Sequence, residues 1–275
     1  RVSWGSHVLV VADEMHKLGA PSFREFLENI TAGGLLGLSA TPERYNDDEN
    51  EFLSELFGPE LKPVVDIAYA QELGVLVQYR YRFDTVMLTD DEIEKYQEFT
   101  RIIGRLSSGA KLNPEDAGRM QVVQSQRANV LKNASAKLGT AAKILRREYI
   151  QGSTWLVFCN DQEQLNSLKE LISDLNPFDI HVGMEGDKDE TIKLFETQGG
   201  ILLSIHMFDE GVDIPSIDHA LILASSQSKR EFIQRRGRLM RPFKGKESAT
   251  IYDFCVLPED PSDPEVPEEP DVPLD

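Results

Sequence analysis

Long apolar runs and positive charge are both scarce in this sequence. No stretch approaches the roughly 18 apolar residues that a membrane-spanning helix needs, so we expect no membrane association. Lys and Arg number 29 against 47 Asp and Glu, which gives a formal net charge of −18. This balance excludes a protein that coats nucleic acid uniformly, but it is compatible with a local basic groove.

Cysteine is also rare, with two residues in the chain. Cys159 and Cys255 both lie in apolar, strand-like runs. This placement predicts buried, reduced thiols and not a disulfide framework or a zinc site. No secretory leader is recognisable, although Arg1 is not an initiator residue and the natural N-terminus could lie upstream. Together these features predict a cytoplasmic protein.

Strands alternate with helices along the chain, which predicts an α/β fold. Residues 7–12 form a short apolar run rich in β-branched residues, as expected of a parallel strand buried on both faces. Residues 34–38 repeat the pattern, and residues 155–159 open a second series of such runs. Residues 64–68 and 79–88 are expected to be strands that lead away from the first series.

Polar side chains follow the first two strands at the points where they end. Asp13, Glu14 and His16 follow the first strand, while Ser39 and Thr41 follow the second. Ligands bind at the carboxyl ends of strands in open α/β sheets. Asp13 could hold a magnesium ion there and Glu14 could orient or activate a water. The alternatives are an acidic loop that opens a helix, a simple turn after the second strand, and a metal site formed by Asp13, Glu14 and His16.

Residues 229–246 concentrate positive charge, with eight basic residues and one acid. On a helix, Gln234, Arg238 and Arg241 would share one face, and two guanidiniums one turn apart suit a phosphate chain. Gly237 costs about 1 kcal/mol relative to alanine in a helix, which suggests a close approach of the backbone to another group. The alternative is a solvated basic helix face.

Three of these motifs, in this order, resemble motifs of the superfamily 2 helicases. Residues 13–16, 39–41 and 234–241 resemble the second, third and sixth motifs, in the DExH form found among DNA repair and restriction enzymes. Residues 209–215 resemble the fifth motif. The resemblance implies a P-loop NTPase helicase core, with a partial first RecA-like sheet and a complete second one.

The resemblance also implies domain boundaries and residue roles. The domains would be residues 1–70 (the C-terminal part of a first RecA-like domain), 71–150 (connecting strands and a basic helical region), 151–257 (a second RecA-like domain) and 258–275 (an acidic, proline-rich tail). The catalytic group would comprise Asp13, Glu14, His16, Gln234, Arg238 and Arg241. The nucleotide-binding group would comprise Asp13 with Mg²⁺, Gly211, Asp213, Arg238 and Arg241. Coupling to nucleic acid would fall to Ser39, Thr41 and Ser204.

The implied function is an ATP-dependent helicase or translocase, on DNA with RNA as the open alternative, that hydrolyses ATP with Mg²⁺. The phosphate-binding motif Gly-x-x-x-x-Gly-Lys-Ser/Thr does not occur in these 275 residues. We therefore expect this chain alone to show little turnover. The alternative is a non-catalytic module, derived from a helicase, that binds nucleic acid or a partner.

The basic helical region and the tail are the last sequence features with a functional interpretation. A stripe at helical spacing is expected to face a core: Leu131, Ala134, Leu138, Ala141 and Leu145. The basic residues beside it are expected to face solvent or a partner: Lys132, Lys137, Lys143, Arg146 and Arg147. Proline recurs at every third position from Pro258 to Pro273, which predicts an extended, solvated tail. This tail could bind a protein partner or serve only as a linker.

Overall fold

The structure is a computed structural model, and the chain divides into two compact units. One unit comprises Arg1–Glu72 with Ser228–Arg236, and the other comprises Leu73–Gln227 with Gly237–Asp275. The residues that the structure describes are 2–19, 23, 27, 30–39, 47–107, 114–181, 183–184, 186–205, 214–224 and 237–257. The whole acidic tail, residues 258–275, lies outside these ranges.

Among its described residues the first unit contains two parallel strands, β1 (Val2–Ala12) and β2 (Ile30–Gly37). The strands are in register at their carboxyl ends, where Ala12 lies opposite Gly37. Gly33 is required where the strands approach, since a Cβ at this position would overlap the carbonyl oxygen of Ser6. Two helices follow, α1 (Asp47–Phe57) and α2 (Ile67–Glu72).

Two expectations for the first unit were wrong. The strand expected to be buried on both faces leaves Leu9 60% and Val11 52% exposed, because β1 pairs only with β2 among the described strands. The strand expected at residues 64–68 is absent, and α2 begins at Ile67. The Asp66 carboxylate accepts a hydrogen bond from the Tyr69 amide at 2.7 Å, so a helix N-cap overrides the local β-branched pattern.

The second unit contains one six-stranded parallel sheet with the strand order β3-β8-β7-β4-β6-β5. The strands are β3 (Gln78–Met87), β4 (Thr154–Cys159), β5 (Phe178–Ile180), β6 (Gly200–Ile205), β7 (His219–Ile222) and β8 (Ser248–Leu257). The helices are α3 (Asp90–Ser107), α4 (Pro114–Lys132), α5 (Ala136–Glu148), α6 (Gln162–Leu171) and α7 (Lys188–Gln198).

Strand β3 pairs with β8 along its whole length, from Gln78 opposite Ser248 to Met87 opposite Leu257. The sequence predicted this strand but assigned it to a connection that leads away from the first unit. In the structure it is instead an edge strand of the second unit's sheet. Sequence spacing could not show this, because the partner strand lies about 170 residues further along the chain.

Helices cover both faces of this sheet. Trp155 and Val157 of β4 point to a core that also contains Leu145 of α5, whereas Leu156 and Phe158 point to the opposite core. Every residue of β4 is buried, which explains the unbroken apolar run in the sequence. The α/β class with parallel sheets flanked by helices is confirmed.

Side chains cap the starts of two helices of the second unit. Thr89 and Glu92 form a reciprocal pair at the start of α3: the Thr89 amide donates to Glu92 at 2.9 Å, and the Glu92 amide donates to the Thr89 hydroxyl at 3.4 Å. The second Glu92 carboxylate oxygen accepts the Ser135 amide hydrogen at 2.9 Å. Asp161 caps α6 by accepting a hydrogen bond from the Gln164 amide at 2.9 Å.

The predicted exposure of Lys137 is wrong, because this residue is only 1% exposed. Its ammonium group donates to the carbonyl oxygen of Leu223 at 2.7 Å and to that of Lys132 at 3.4 Å. Burial lowers the pKa of Lys137 to about 8, while the charge of Asp253 opposes this shift. Lys137 lies one turn before Ala141, on the buried face of α5, and its long stem reaches the end of β7.

Cys255 also departs from expectation. Both cysteines are free thiols and Cys159 is buried, but Cys255 is exposed. The β7–β8 ladder ends at Asp253, so Cys255 has a strand neighbour only on the β3 side. Among the described residues, no helix combines the length and the apolar character needed to cross a membrane.

Candidate functional site

The acidic loop of the first unit occupies the carboxyl end of β1. Asp13 and Glu14 follow Ala12 directly, and a short 3-10 helix, Met15–Gly19, comes next. The Glu14 amide donates to the Asp13 carboxylate at 2.9 Å. Glu14 has a left-handed backbone, with φ of 50°, which is uncommon for a non-glycine residue and costs on the order of 1 kcal/mol. The hydrogen bond from the Glu14 amide holds the Asp13 carboxylate at the strand end.

The loop is tied to the end of β2 by main-chain and side-chain contacts. The Leu38 amide donates to the Ala12 carbonyl at 2.8 Å, and the Met15 amide donates to the Leu38 carbonyl at 2.9 Å. His16 is 1% exposed, and its Nδ1 lies 2.8 Å from the Ser39 hydroxyl and 3.2 Å from a Glu14 carboxylate oxygen. The fold therefore brings together four of the residues singled out by sequence: Asp13, Glu14, His16 and Ser39.

The donor set of this loop suits magnesium but not a metal held by protein ligands alone. Asp13 is exposed, and Mg²⁺ is commonly held by one or two carboxylates together with waters and substrate phosphates. Among the described residues, no cluster of three or more His, Cys, Asp or Glu side chains could hold a metal ion. The alternative of a site built from Asp13, Glu14 and His16 is thus unsupported, and Nδ1 of His16 already faces Ser39 and Glu14.

The arginine motif comprises residues 234–241, and its part from Gly237 onward lies in the second unit. Residues 237–239 are helical, Arg238 is half-buried and Arg241 is exposed. The Arg241 amide donates to the Arg238 carbonyl at 3.4 Å, and the Val77 amide donates to the Met240 carbonyl at 2.8 Å. A Cβ at Gly237 would meet no atom within 4 Å. The close backbone approach inferred from this glycine is therefore not to another part of the described protein.

Four predicted site residues lie outside the part of the chain that the structure describes, and a fifth, Ser204, is buried. Thr41, Gly211, Asp213 and Gln234 lie outside the described residues. Ser204 is fully buried in β6, and its hydroxyl has no hydrogen-bond partner among the described residues. A contact of this hydroxyl with a nucleic-acid phosphate is not supported, because the side chain points into the protein.

Two protein-family models match the chain around these motifs. The model of the helicase conserved C-terminal domain matches residues 136–242, and that of the type III restriction enzyme res subunit matches residues 2–44. The chain is also 26% identical over 262 residues to the DNA 3'-5' translocase XPB2 of Sulfurisphaera tokodaii, which takes in 88% of this chain and 57% of that protein. These matches support the resemblance to the superfamily 2 helicases.

Further similarities agree with this superfamily 2 assignment. The chain is 28% identical over 248 residues to the Rad25 protein of Haloarcula marismortui, which is named as a candidate DNA 3'-5' helicase. The alignment covers 87% of this chain and 34% of that protein. The Pyrococcus furiosus Hef helicase domain superposes with a TM-score of 0.56 at 13% identity, over 93% of this chain and 72% of that one. At that identity the superposition shows a shared fold, and the RecA-like architecture is confirmed. The chain spans 57% of the length of XPB2 and 34% of the length of Rad25.

One backbone contact of the arginine motif could not be predicted from the sequence. The amide of Val77, just before β3, holds the Met240 carbonyl. A backbone amide is common to almost every residue type, so no pattern in the sequence marks it. Only the placement of β3 beside β8 brings Val77 to this position.

Proposed function

We propose that the protein is an ATP-dependent helicase or translocase that acts on DNA and couples ATP hydrolysis to strand movement. The match to the helicase C-terminal domain supports a role in this class. Relatives named as a DNA 3'-5' translocase and a candidate DNA 3'-5' helicase favour DNA as the substrate. The DExH form of the acidic motif and the individual residue roles are part of the proposal.

The observation that carries the proposal is the arrangement of the acidic loop at the carboxyl end of β1. Asp13 would hold Mg²⁺, which supplies charge neutralisation at the phosphates when bound. Glu14 would orient the attacking water. Fixed carboxylates favour hydrolysis because they need little reorganisation in the transition state.

Two arginines have a proposed role in turnover. Arg238 and Arg241 would stabilise the charge that develops on the γ-phosphate, since a guanidinium offers a planar fork of donors and stays protonated. Such an arginine can contribute about 10³–10⁵ in rate. Asp213 would accept a hydrogen bond from the ribose hydroxyl, and Gly211 would complete the nucleotide site. Gln234 would belong to the catalytic group.

Coupling to nucleic acid would run through the contact between His16 and Ser39. The hydroxyl of Ser39 lies 2.8 Å from Nδ1 of His16, so a change at the acidic loop reaches the end of β2 directly. Thr41 would act beside Ser39. We assign no such contact to Ser204, because its hydroxyl is buried.

Arg238→Lys and Arg241→Lys test the proposal in the full product of the gene that encodes this chain. Lysine keeps the charge but loses the planar fork, and this geometry matters most in the transition state. We expect the kcat for ATP to fall by about 100-fold or more while the KM changes little. The measurements are steady-state ATP turnover with and without DNA, and DNA affinity across a salt series.

Arg119→Lys serves as the matched control, because Arg119 is exposed on α4 and has no proposed role in turnover. A different pattern would contradict the proposal. If Arg238→Lys and Arg241→Lys leave basal turnover intact and lower only DNA affinity and its salt slope, the arginine motif binds nucleic acid. The non-catalytic binding module would then be the better description.

A further inference from the structure

The Lys246 side chain forms hydrogen bonds with two separate segments of the second unit. Its ammonium group donates to the carbonyl oxygen of Leu239 at 2.5 Å and to that of Pro215 at 3.0 Å. Leu239 lies between Arg238 and Arg241, and Pro215 lies two residues after Asp213. Lys246 itself is four residues beyond the stretch matched by the helicase model, which ends at residue 242.

The local backbone brings Lys246 back to the end of the short helical segment at residues 237–239, called here the arginine helix. The chain turns back after this helix: the Lys246 amide donates to the Phe243 carbonyl at 3.0 Å, and Gly245 has φ of 85°. The last carbonyl groups of a helix have no partner within the helix, and a lysine can satisfy them. Lys246 does so at Leu239, one residue before the Met240 carbonyl that Val77 binds.

The segment around Pro215, whose carbonyl accepts the second hydrogen bond from Lys246, is well fixed in the second unit. Ile214 and Ile217 are 5% and 3% exposed and pack in the same core as Leu239. The Thr154 hydroxyl at the start of β4 donates to the Ser216 carbonyl at 2.6 Å. The Pro215 carbonyl therefore offers a rigid point, and a bond to it limits how far the arginine helix can shift.

The surroundings of Lys246 are consistent with a charged group near neutral pH. Burial lowers the pKa of Lys246 to about 8, and the negative charge of Asp218 works in the opposite direction. An ammonium group has three donors, so it can bond two carbonyls at once. Charge-assisted hydrogen bonds of this kind are also stronger than neutral ones.

We propose that Lys246 is a positioning residue that fixes the arginine helix to the segment following Asp213. This inference rests on the function proposed above. Lys246 touches neither nucleotide nor metal in this scheme. It acts through Leu239 and Pro215, and keeps the guanidiniums of Arg238 and Arg241 oriented relative to the residues that would hold the ribose.

The experiment compares Lys246→Met, Lys246→Gln and Lys246→Arg with the matched control Lys244→Met in the full gene product. Lys244 is exposed two residues away. Hydrogen exchange is measured over residues 216–218 and 239–241, and ATP turnover gives kcat and KM separately. The glutamine variant keeps a neutral donor and covers the case in which the methionine variant fails to fold.

For Lys246→Met and Lys246→Gln we expect amide exchange in both segments to become about tenfold faster. The kcat should fall by about tenfold with the KM within about twofold. Lys246→Arg should recover most of both losses because it retains a charged donor. Lys244→Met should behave like the native protein.

Unchanged exchange at residues 239–241 in the glutamine variant would overturn the inference, as would faster exchange with an unchanged kcat. The same loss of kcat in Lys244→Met would also overturn it, because the effect would then reflect charge alone. A native protein without any ATP turnover would instead refute the proposed function. In that case the exchange comparison by itself decides whether Lys246 fixes the two segments.

Discussion

Replacing Lys137 with methionine should remove a pH dependence of stability that the buried ammonium group creates. Burial lowers the pKa of Lys137 from 10.5 to about 8, with Asp253 opposing and Lys132 adding to the shift. Each tenfold change in proton affinity is worth about 1.4 kcal/mol. The charged form is thus disfavoured by about 3 kcal/mol in the folded protein relative to the unfolded chain.

The sign follows from proton binding in the two states. Between pH 8 and 10.5 the unfolded chain holds the Lys137 proton more tightly than the folded protein does, so stability rises with pH. The rise from this one group is about 2 kcal/mol between pH 7.5 and 9.5. Lys137→Met has no titrating group at this position, so its own stability does not show this rise. The free energy of unfolding of the variant minus that of the native protein should therefore fall by about 2 kcal/mol between pH 7.5 and 9.5.

Urea unfolding followed by tryptophan fluorescence measures the effect. The chain has two tryptophans, and Trp155 is fully buried in the second unit, so a Trp4→Phe background leaves Trp155 as the reporter. Lys246 also has a lowered pKa, but its contribution is common to both proteins and cancels in the difference. Lys143→Met on the exposed face of α5 is the control and should give a flat difference.

The reasoning fails if the difference between Lys137→Met and the native protein does not change between pH 7.5 and 9.5. Such a result would mean that the Lys137 ammonium is well solvated or fully compensated in the folded state. A flat difference combined with a strong loss of stability at every pH would show that the two carbonyl contacts dominate. Lys137 would then be held charged throughout the range.

Two further predictions concern packing and turnover. Gly33→Ala should destabilise the first unit by about 3 kcal/mol or more, because the new Cβ would overlap the Ser6 carbonyl oxygen; a thermal melt equal to that of the native protein would contradict this. Its control, Gly104→Ala on α3, meets no atom within 4 Å and should stabilise the protein by up to about 1 kcal/mol. The 275-residue chain alone should hydrolyse ATP negligibly, because no Gly-x-x-x-x-Gly-Lys-Ser/Thr motif occurs in it; turnover that disappears in Glu14→Gln would show otherwise.

Local chemistry in the sequence was enough to predict much of the architecture. The apolar run of β4 indicated a strand buried on both faces, which the structure contains. The capping pair Thr89–Glu92 and the cap Asp161 are residue types that favour helix starts. These features depend on neighbours within a few residues, which a sequence displays directly. The superfamily 2 resemblance, carried by motifs in order, is likewise confirmed. The proposed domain boundaries and residue roles stay predictions.

Tertiary structure alone decided which of these local elements meet and which side chains are covered. Helical spacing placed Lys137 beside the apolar stripe of α5, but only the packing of α5 over β7 buries its ammonium at Leu223. The burial of Ser204 and the exposure of Cys255 depend on strand order, and so does the contact between Val77 and Met240. Strand order is set by pairings between distant parts of the chain, and no local pattern encodes them.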